Sequence, residues 1–148
     1  MNKFLLSIAF VFAAANINAQ SFNTQQKQLV SQISSYLSGQ GYSADKQNNG
    51  VNFKDEGVNY YIEVSKEDKS PMFLRLCRYV EYSETIKEEV VVKNLNEYNA
   101  KLGIKVYCMD GGLVISSEMY VASSSEFTGV FPTLLNQMKA MYEQINNQ

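Results

Sequence analysis

Between residues 58 and 65 the sequence alternates without a break: Val58, Tyr60, Ile62 and Val64 fall between Asn59, Tyr61, Glu63 and Ser65. Side chains point to opposite faces of a strand at every second residue, so this run carries one apolar face and one mixed face. Strands of a parallel sheet are buried on both sides and read as continuous apolar runs. The alternation therefore demands an antiparallel sheet with one face covered by another layer.

The neighbouring residues supply that sheet. Tyr42–Gln47 reads as a weak strand ended by the turn signal Asn48-Asn49-Gly50, and Val51 and Phe53 alternate with Asn52 and Lys54 before an Asp55-Glu56-Gly57 turn. A charged connection, Lys66 to Pro71, precedes a fourth strand from Met72 to Tyr82. Ile104–Asp110 and Leu113–Val121 form a hairpin about Gly111-Gly112.

Three segments switch to helical spacing and supply the covering layer. In the first, Asn23 or Thr24 is the cap, Leu29, Val30, Ile33, Tyr36 and Leu37 form the apolar face, and Gly39-Gln40-Gly41 is the stop. In the second, Ser83 or Thr85 is the expected cap, and Val91, Leu95, Tyr98 and Leu102 lie on one face before Gly103. In the third, Phe127, Phe131, Leu134, Met138, Met141 and Ile145 make a long stripe, which Pro132 is expected to break or kink. The order is α-β-β-β-β-α-β-β-α, a single antiparallel sheet with three helices, hence α+β.

The first residues carry an address rather than a fold. Lys3 is followed by an apolar run from Phe4 to Ala15, and Asn16-Ile17-Asn18-Ala19 ends on a small residue. That order is the pattern of a secretory signal peptide cleaved after Ala19, and the run is too short to cross a bilayer as a helix. Residues 20–148 then form one exported domain, periplasmic or secreted, with no membrane insertion after cleavage. No cysteine stands at the cleavage point, which argues against a lipid anchor.

Composition narrows the function. The sequence has no histidine, so a Ser–His or Cys–His nucleophile is excluded and the commonest general base and metal ligand is missing. Thirteen basic residues face fifteen acidic ones, and the basic residues form no run or stripe. Nucleic-acid binding, which draws on phosphate neutralisation, has no footing here. The expectation is a non-enzymatic protein without a cofactor or metal.

Leu95-Asn96-Glu97-Tyr98-Asn99, then Lys105-Val106-Tyr107 and Gly111-Gly112-Leu113 before an alternating strand, resemble the YbjN-like family of bacterial sensory-transduction regulators. The element order and the early Gly41-Tyr42 also match, so the resemblance covers most of residues 24–146. It implies a fold similar to type III secretion chaperones, small α+β proteins that often dimerise and hold extended protein segments. Neither group is known for catalysis. Those proteins work in the cytoplasm whereas this chain carries an export signal, so the resemblance transfers fold better than role.

Several residues have both a functional and a structural reading. Asn96 and Asn99 are three apart on the second helix and either bind a ligand or tie the helix to the following hairpin through backbone groups, the second being favoured. Cys77 and Cys108 sit on different strands. Export permits a disulfide, worth ~3–4 kcal/mol for a loop of that size, but both also suit small buried hydrophobes. The acidic pairs Asp55-Glu56, Glu67-Asp68 and Glu88-Glu89 read as solvated turns and a solvated helix face. Tyr61, Phe73, Arg75 and Tyr79 are the candidate binding face, tyrosine and arginine bringing large area with a polar tip; the competing reading is a second sheet face packed under a helix.

The expected function is binding of an envelope protein or peptide segment through an exposed sheet face or edge, as a homodimer. The alternative is a small-ligand carrier or sensor, with a pocket between sheet and helices lined by tyrosines and methionines.

Overall fold

The computed structural model describes residues 22–67 and 70–148. The expected signal peptide, and Asp68 of one acidic pair, lie outside these residues.

The chain runs α1 (Thr24–Gly39), β1 (Ser43–Gln47), β2 (Gly50–Asp55), β3 (Val58–Val64), β4 (Met72–Glu81), α2 (Glu88–Asn99), β5 (Lys105–Met109), β6 (Gly112–Val121) and α3 (Ser124–Asn146). The six strands form one antiparallel sheet in the order β1-β2-β3-β4-β6-β5. This is the expected α+β architecture, element for element.

Local chemistry sets most boundaries. Asn23 and Gln26 form a reciprocal cap at the start of α1: the Gln26 N–H donates to Asn23 Oδ1 at 2.8 Å, and the Asn23 N–H donates to Gln26 Oε1 at 2.8 Å. Gly41, with φ +89°, turns the chain out of that helix. In the second hairpin the two-residue turn is Asp110-Gly111, and Gly112 already belongs to β6.

Two expectations about the helices change, and of the two outcomes expected at Pro132 the break into separate helices is excluded. Ser83 and Thr85 do not cap α2. That helix starts at Glu88 with Lys87 at the cap position and no side-chain cap, because the Ser83 hydroxyl is used one turn earlier, accepting the Ile86 N–H at 3.1 Å. α2 also ends at Asn99, so Leu102 lies beyond the helical face and is 93% exposed. α3 passes through Pro132 as one helix of 23 residues. Proline removes the N–H that would bond the Thr128 carbonyl, and the Tyr36 hydroxyl reaches that carbonyl at 3.5 Å from α1. Pro132 itself faces solvent.

The core is built from one face of the sheet. Val51, Phe53, Tyr60, Ile62, Val64, Leu74, Leu76, Val80, Val106, Leu113, Ile115 and Val121 belong to a single buried cluster with Leu29, Ile33 and Leu37 of α1, Val91 and Tyr98 of α2, and Phe127, Phe131, Leu135, Met138, Met141 and Ile145 of α3. Its centre is aromatic. Phe53 stacks on Tyr60 at 5.2 Å, and Phe131 meets Phe53, Tyr36 and Tyr42 edge-on.

Candidate functional site

No residue of the opposite sheet face belongs to that core cluster. Strand registers place Glu63 beside Arg75 and Arg75 beside Glu118, Tyr61 beside Cys77 and Cys77 beside Ser116, Phe73 beside Tyr120, and Tyr79 and Tyr107 on either side of Val114. Alternation puts all of these on the uncovered side, since Leu74, Leu76 and Val80 of the same strand point into the core. The four candidate binding residues, Tyr61, Phe73, Arg75 and Tyr79, therefore come together on one face, and among the described residues no helix packs over it.

The face has a definite layout. Across its middle runs a row of alternating charge. Arg75 is paired with Glu63, its Nε donating at 3.0 Å, and Lys105 is paired with Glu118 from the neighbouring strand. Each cation is neutralised by a carboxylate, so the row has no strong field of either sign. Below it, Phe73 and Tyr120 meet edge-on at 5.3 Å, and Tyr120 is 68% exposed.

Above the charged row, two tyrosines serve the sheet itself. A Cβ on Gly50 would meet the Ile62 carbonyl at 1.9 Å and the Tyr61 hydroxyl at 2.9 Å; a Cβ on Gly112 would meet the Val80 carbonyl at 2.3 Å and the Tyr79 ring at 2.7 Å. Both tyrosines lie across a glycine of the adjacent strand, covering backbone that has no side chain of its own. The Tyr61 hydroxyl also donates to Asn49 Oδ1 at 2.5 Å, and burial pushes its ionisation up to about 12. Of the four residues, Phe73 covers no glycine and makes no ion pair among the described residues, whereas Arg75 is engaged by Glu63. Tyr120 and Tyr107, which complete the face, escaped sequence reading; alternation along β6 and β5 was the available signal.

Cys77 and Cys108 are both free thiols. The disulfide is corrected by topology. β6 runs between β4 and β5, so the two cysteines are two strands apart, roughly 9–10 Å at the usual strand spacing, beyond disulfide reach. They also point to opposite faces, for Cys77 pairs with Ser116 and Cys108 with Leu113, an odd number of residues apart on β6. Burial raises the Cys77 thiol to about 12, which keeps it protonated and unreactive near neutral pH.

All of the motif residues but Asn96 have a structural role. Tyr98 is buried in the core and donates from its hydroxyl to Gln148 Oε1 at 2.5 Å, while Leu95 packs at the core's margin. Asn99 ties α2 to β5, its Nδ2 donating to the Val106 carbonyl at 3.0 Å and its Oδ1 accepting the Val106 N–H at 2.7 Å. Asn96 is exposed and has no side-chain hydrogen bond among the described residues. Lys105 pairs with Glu118, and Gly112 allows the close approach of β4.

A second feature lies at the end of the sheet. A cleft of about 390 Å³ opens between the starts of β3 and the end of β4, with Arg78 in its wall and Tyr142 of α3 beside it. It is lined by tyrosine but by no methionine, and it sits at the sheet's end rather than within the packed layer.

No family model matches the chain, and no curated protein sequence matches it. Its structure is similar to the crystal structure of YbjN, "a putative transcription regulator from E. coli", with a TM-score of 0.57 over 75% of this chain and 86% of that one, at 12% sequence identity. At that identity the likeness speaks to fold alone. The chain has the YbjN-like α+β fold that its second helix and following hairpin resemble.

Proposed function

We propose that this chain is an exported, non-enzymatic binding domain that holds a protein or peptide segment of the cell envelope on the open face of its sheet. The observation that carries the reading is the uncovered face itself, where Phe73, Tyr120, Tyr107 and the Arg75–Glu63 and Lys105–Glu118 pairs are brought side by side. Among the described residues no helix lies over this face, Tyr120 is exposed on it, and Phe73, Arg75 and Tyr107 are half-buried; protein interfaces use such faces, whereas small-molecule sites are concave. The cations of the face's central row, Arg75 and Lys105, are already paired, which disfavours nucleic acid and anionic lipid as occupants. Aromatic and arginine side chains are the usual anchors at protein interfaces.

Pairing along a sheet edge gains less support. At β5 the Asn99 amide occupies the backbone groups of Val106 that an added strand would need. The β1 edge carries Asp45 and Lys46, charges that discourage strand addition.

The test is affinity capture from the host envelope with the unchanged chain and with a Phe73→Ala, Tyr120→Ala variant. One envelope protein retained stoichiometrically by the first and lost by the second supports the reading. Sedimentation of the free chain, expected to be a homodimer, separates the remaining case: a dimer that dissociates in the same variant assigns the face to a second copy and overturns the partner reading.

A further inference from the structure

The cleft beside Arg78 arises from the strand pairing. β3 and β4 are in register only from Val64↔Leu74 to Tyr61↔Cys77. Beyond that point β3 stays with β2 as far as Val58↔Asp55, and β4 stays with β6 as far as Glu81↔Gly112. Two central strands thus part in mid-sheet, and the gap becomes a cleft of about 390 Å³, within the roughly 300–1,000 Å³ of small-molecule sites.

Arg78 stands where the strands part. Its guanidinium lies 3.6 Å from the centre of the Tyr142 ring and 5.9 Å from that of Tyr60, so two aromatic faces fix its plane. Its Nε is buried without a hydrogen-bond partner, and among the described residues no carboxylate forms an ion pair with it. The contrast with Arg75, which Glu63 neutralises, is direct. The nearby acids of the β2–β3 turn, Asp55 and Glu56, are taken by Lys139. A half-buried guanidinium presents a planar fork that matches a carboxylate, and leaving it unpaired is costly. Val58 and Ile86 add apolar wall, and the exposed carboxylate of Glu81 stands at the mouth.

We propose that this cleft binds a small organic carboxylate, with Arg78 as its anion partner, Tyr142 holding the guanidinium in place, and Val58 and Ile86 against the ligand's apolar body. The site opens at the end of the sheet, with Arg78 on the helix-covered side and Asn59, Tyr79 and Glu81 of the other face at its rim, and it is tested apart from the open face through Arg78.

The chain has only two arginines, Arg75 and Arg78, which makes the experiment clean. Hexanoate, and separately inorganic phosphate and chloride, is titrated into 15N-labelled protein while the two arginine Nε–H signals are followed. Hexanoate is expected to move the Arg78 signal saturably, with the Asn59 and Ile86 amides, and to leave Arg75 in place. Arg78→Met, checked for folding by its amide spectrum, is expected to weaken binding at least about tenfold. Glu81→Gln, which keeps the arginine and removes the acid at the mouth, is expected to tighten it. A parallel drift of both arginines, saturation by phosphate in preference to hexanoate, or undiminished binding in folded Arg78→Met protein overturns the proposal. If Arg78→Met does not fold, Tyr142→Leu replaces it, and unchanged hexanoate affinity there has the same meaning.

Discussion

The side-chain amide of Asn99 satisfies both backbone groups of Val106 at the outer edge of the sheet, accepting from its N–H at 2.7 Å and donating to its carbonyl at 3.0 Å. A side-chain amide carries a donor and an acceptor side by side, as the backbone of a neighbouring strand does. Asn99 therefore closes an edge that would otherwise be open to pairing. Asn99→Ala is expected to lower stability by about 1–2 kcal/mol, two hydrogen bonds at roughly 1 kcal/mol each, and to promote association. Asn96→Ala, at an exposed position, stays within about 0.5 kcal/mol. Urea unfolding and light scattering of the two variants check this, and equal behaviour would count against the edge-closing role.

Pro132 and Tyr36 form a second testable unit. The helix carries a proline in its interior, and the carbonyl this releases is met by a tyrosine from another helix. Pro132→Ala restores the missing N–H and is expected to stabilise by about 1–3 kcal/mol, given the proline penalty in helices. Tyr36→Phe should then cost less in the P132A background than in the native chain, because the Thr128 carbonyl has a new partner. A double-mutant cycle with no coupling contradicts this account.

Alkaline pH provides a third check. Burial lifts Tyr61 from 10.0 to about 12 and Cys77 from 9.0 to about 12, and Tyr82 and Tyr107 move the same way. The folded chain holds these protons where the unfolded chain releases them, so unfolding becomes more favourable as pH rises. Stability is therefore full below pH 9 and is lost as pH climbs toward 12. Cys77→Ala should flatten the lower part of that loss and Tyr61→Phe the upper part. A urea midpoint that does not move across the window is the contrary result.

Export is checked by mass. The protein recovered from its host is expected to begin at Gln20. An intact amino terminus at Met1 on envelope-free protein would remove the exported part of the proposed function.

Much of the fold was legible because alternation and helical spacing are local. Val58–Val64 announced a one-sided sheet, and the stripe from Phe127 to Ile145 announced the helix that covers it. The shared face of Phe73, Arg75 and Tyr79 followed from the same period of two. What was not legible depends on long-range placement. Nothing in the sequence between Cys77 and Cys108 says that β6, which comes later, inserts between their strands. Leu102 keeps helical spacing with Tyr98 although the helix has already ended at Asn99, since spacing carries no stop signal of its own. The hydroxyl that reaches the carbonyl freed by Pro132 belongs to Tyr36, which lies in another helix. The parting of β3 from β4 at Arg78 is likewise a matter of register, which alternation alone leaves open.

The open face is the centre of the account, and site-directed photocrosslinking in the native host tests it most directly. A photoreactive phenylalanine is placed at Tyr120, on the open face and 68% exposed, or at Leu102, 93% exposed beyond the end of α2. The account predicts one strong adduct with an envelope protein from position 120 and none from position 102, with the adduct lost on Phe73→Ala. The same adduct from both positions, or none from position 120, would contradict it.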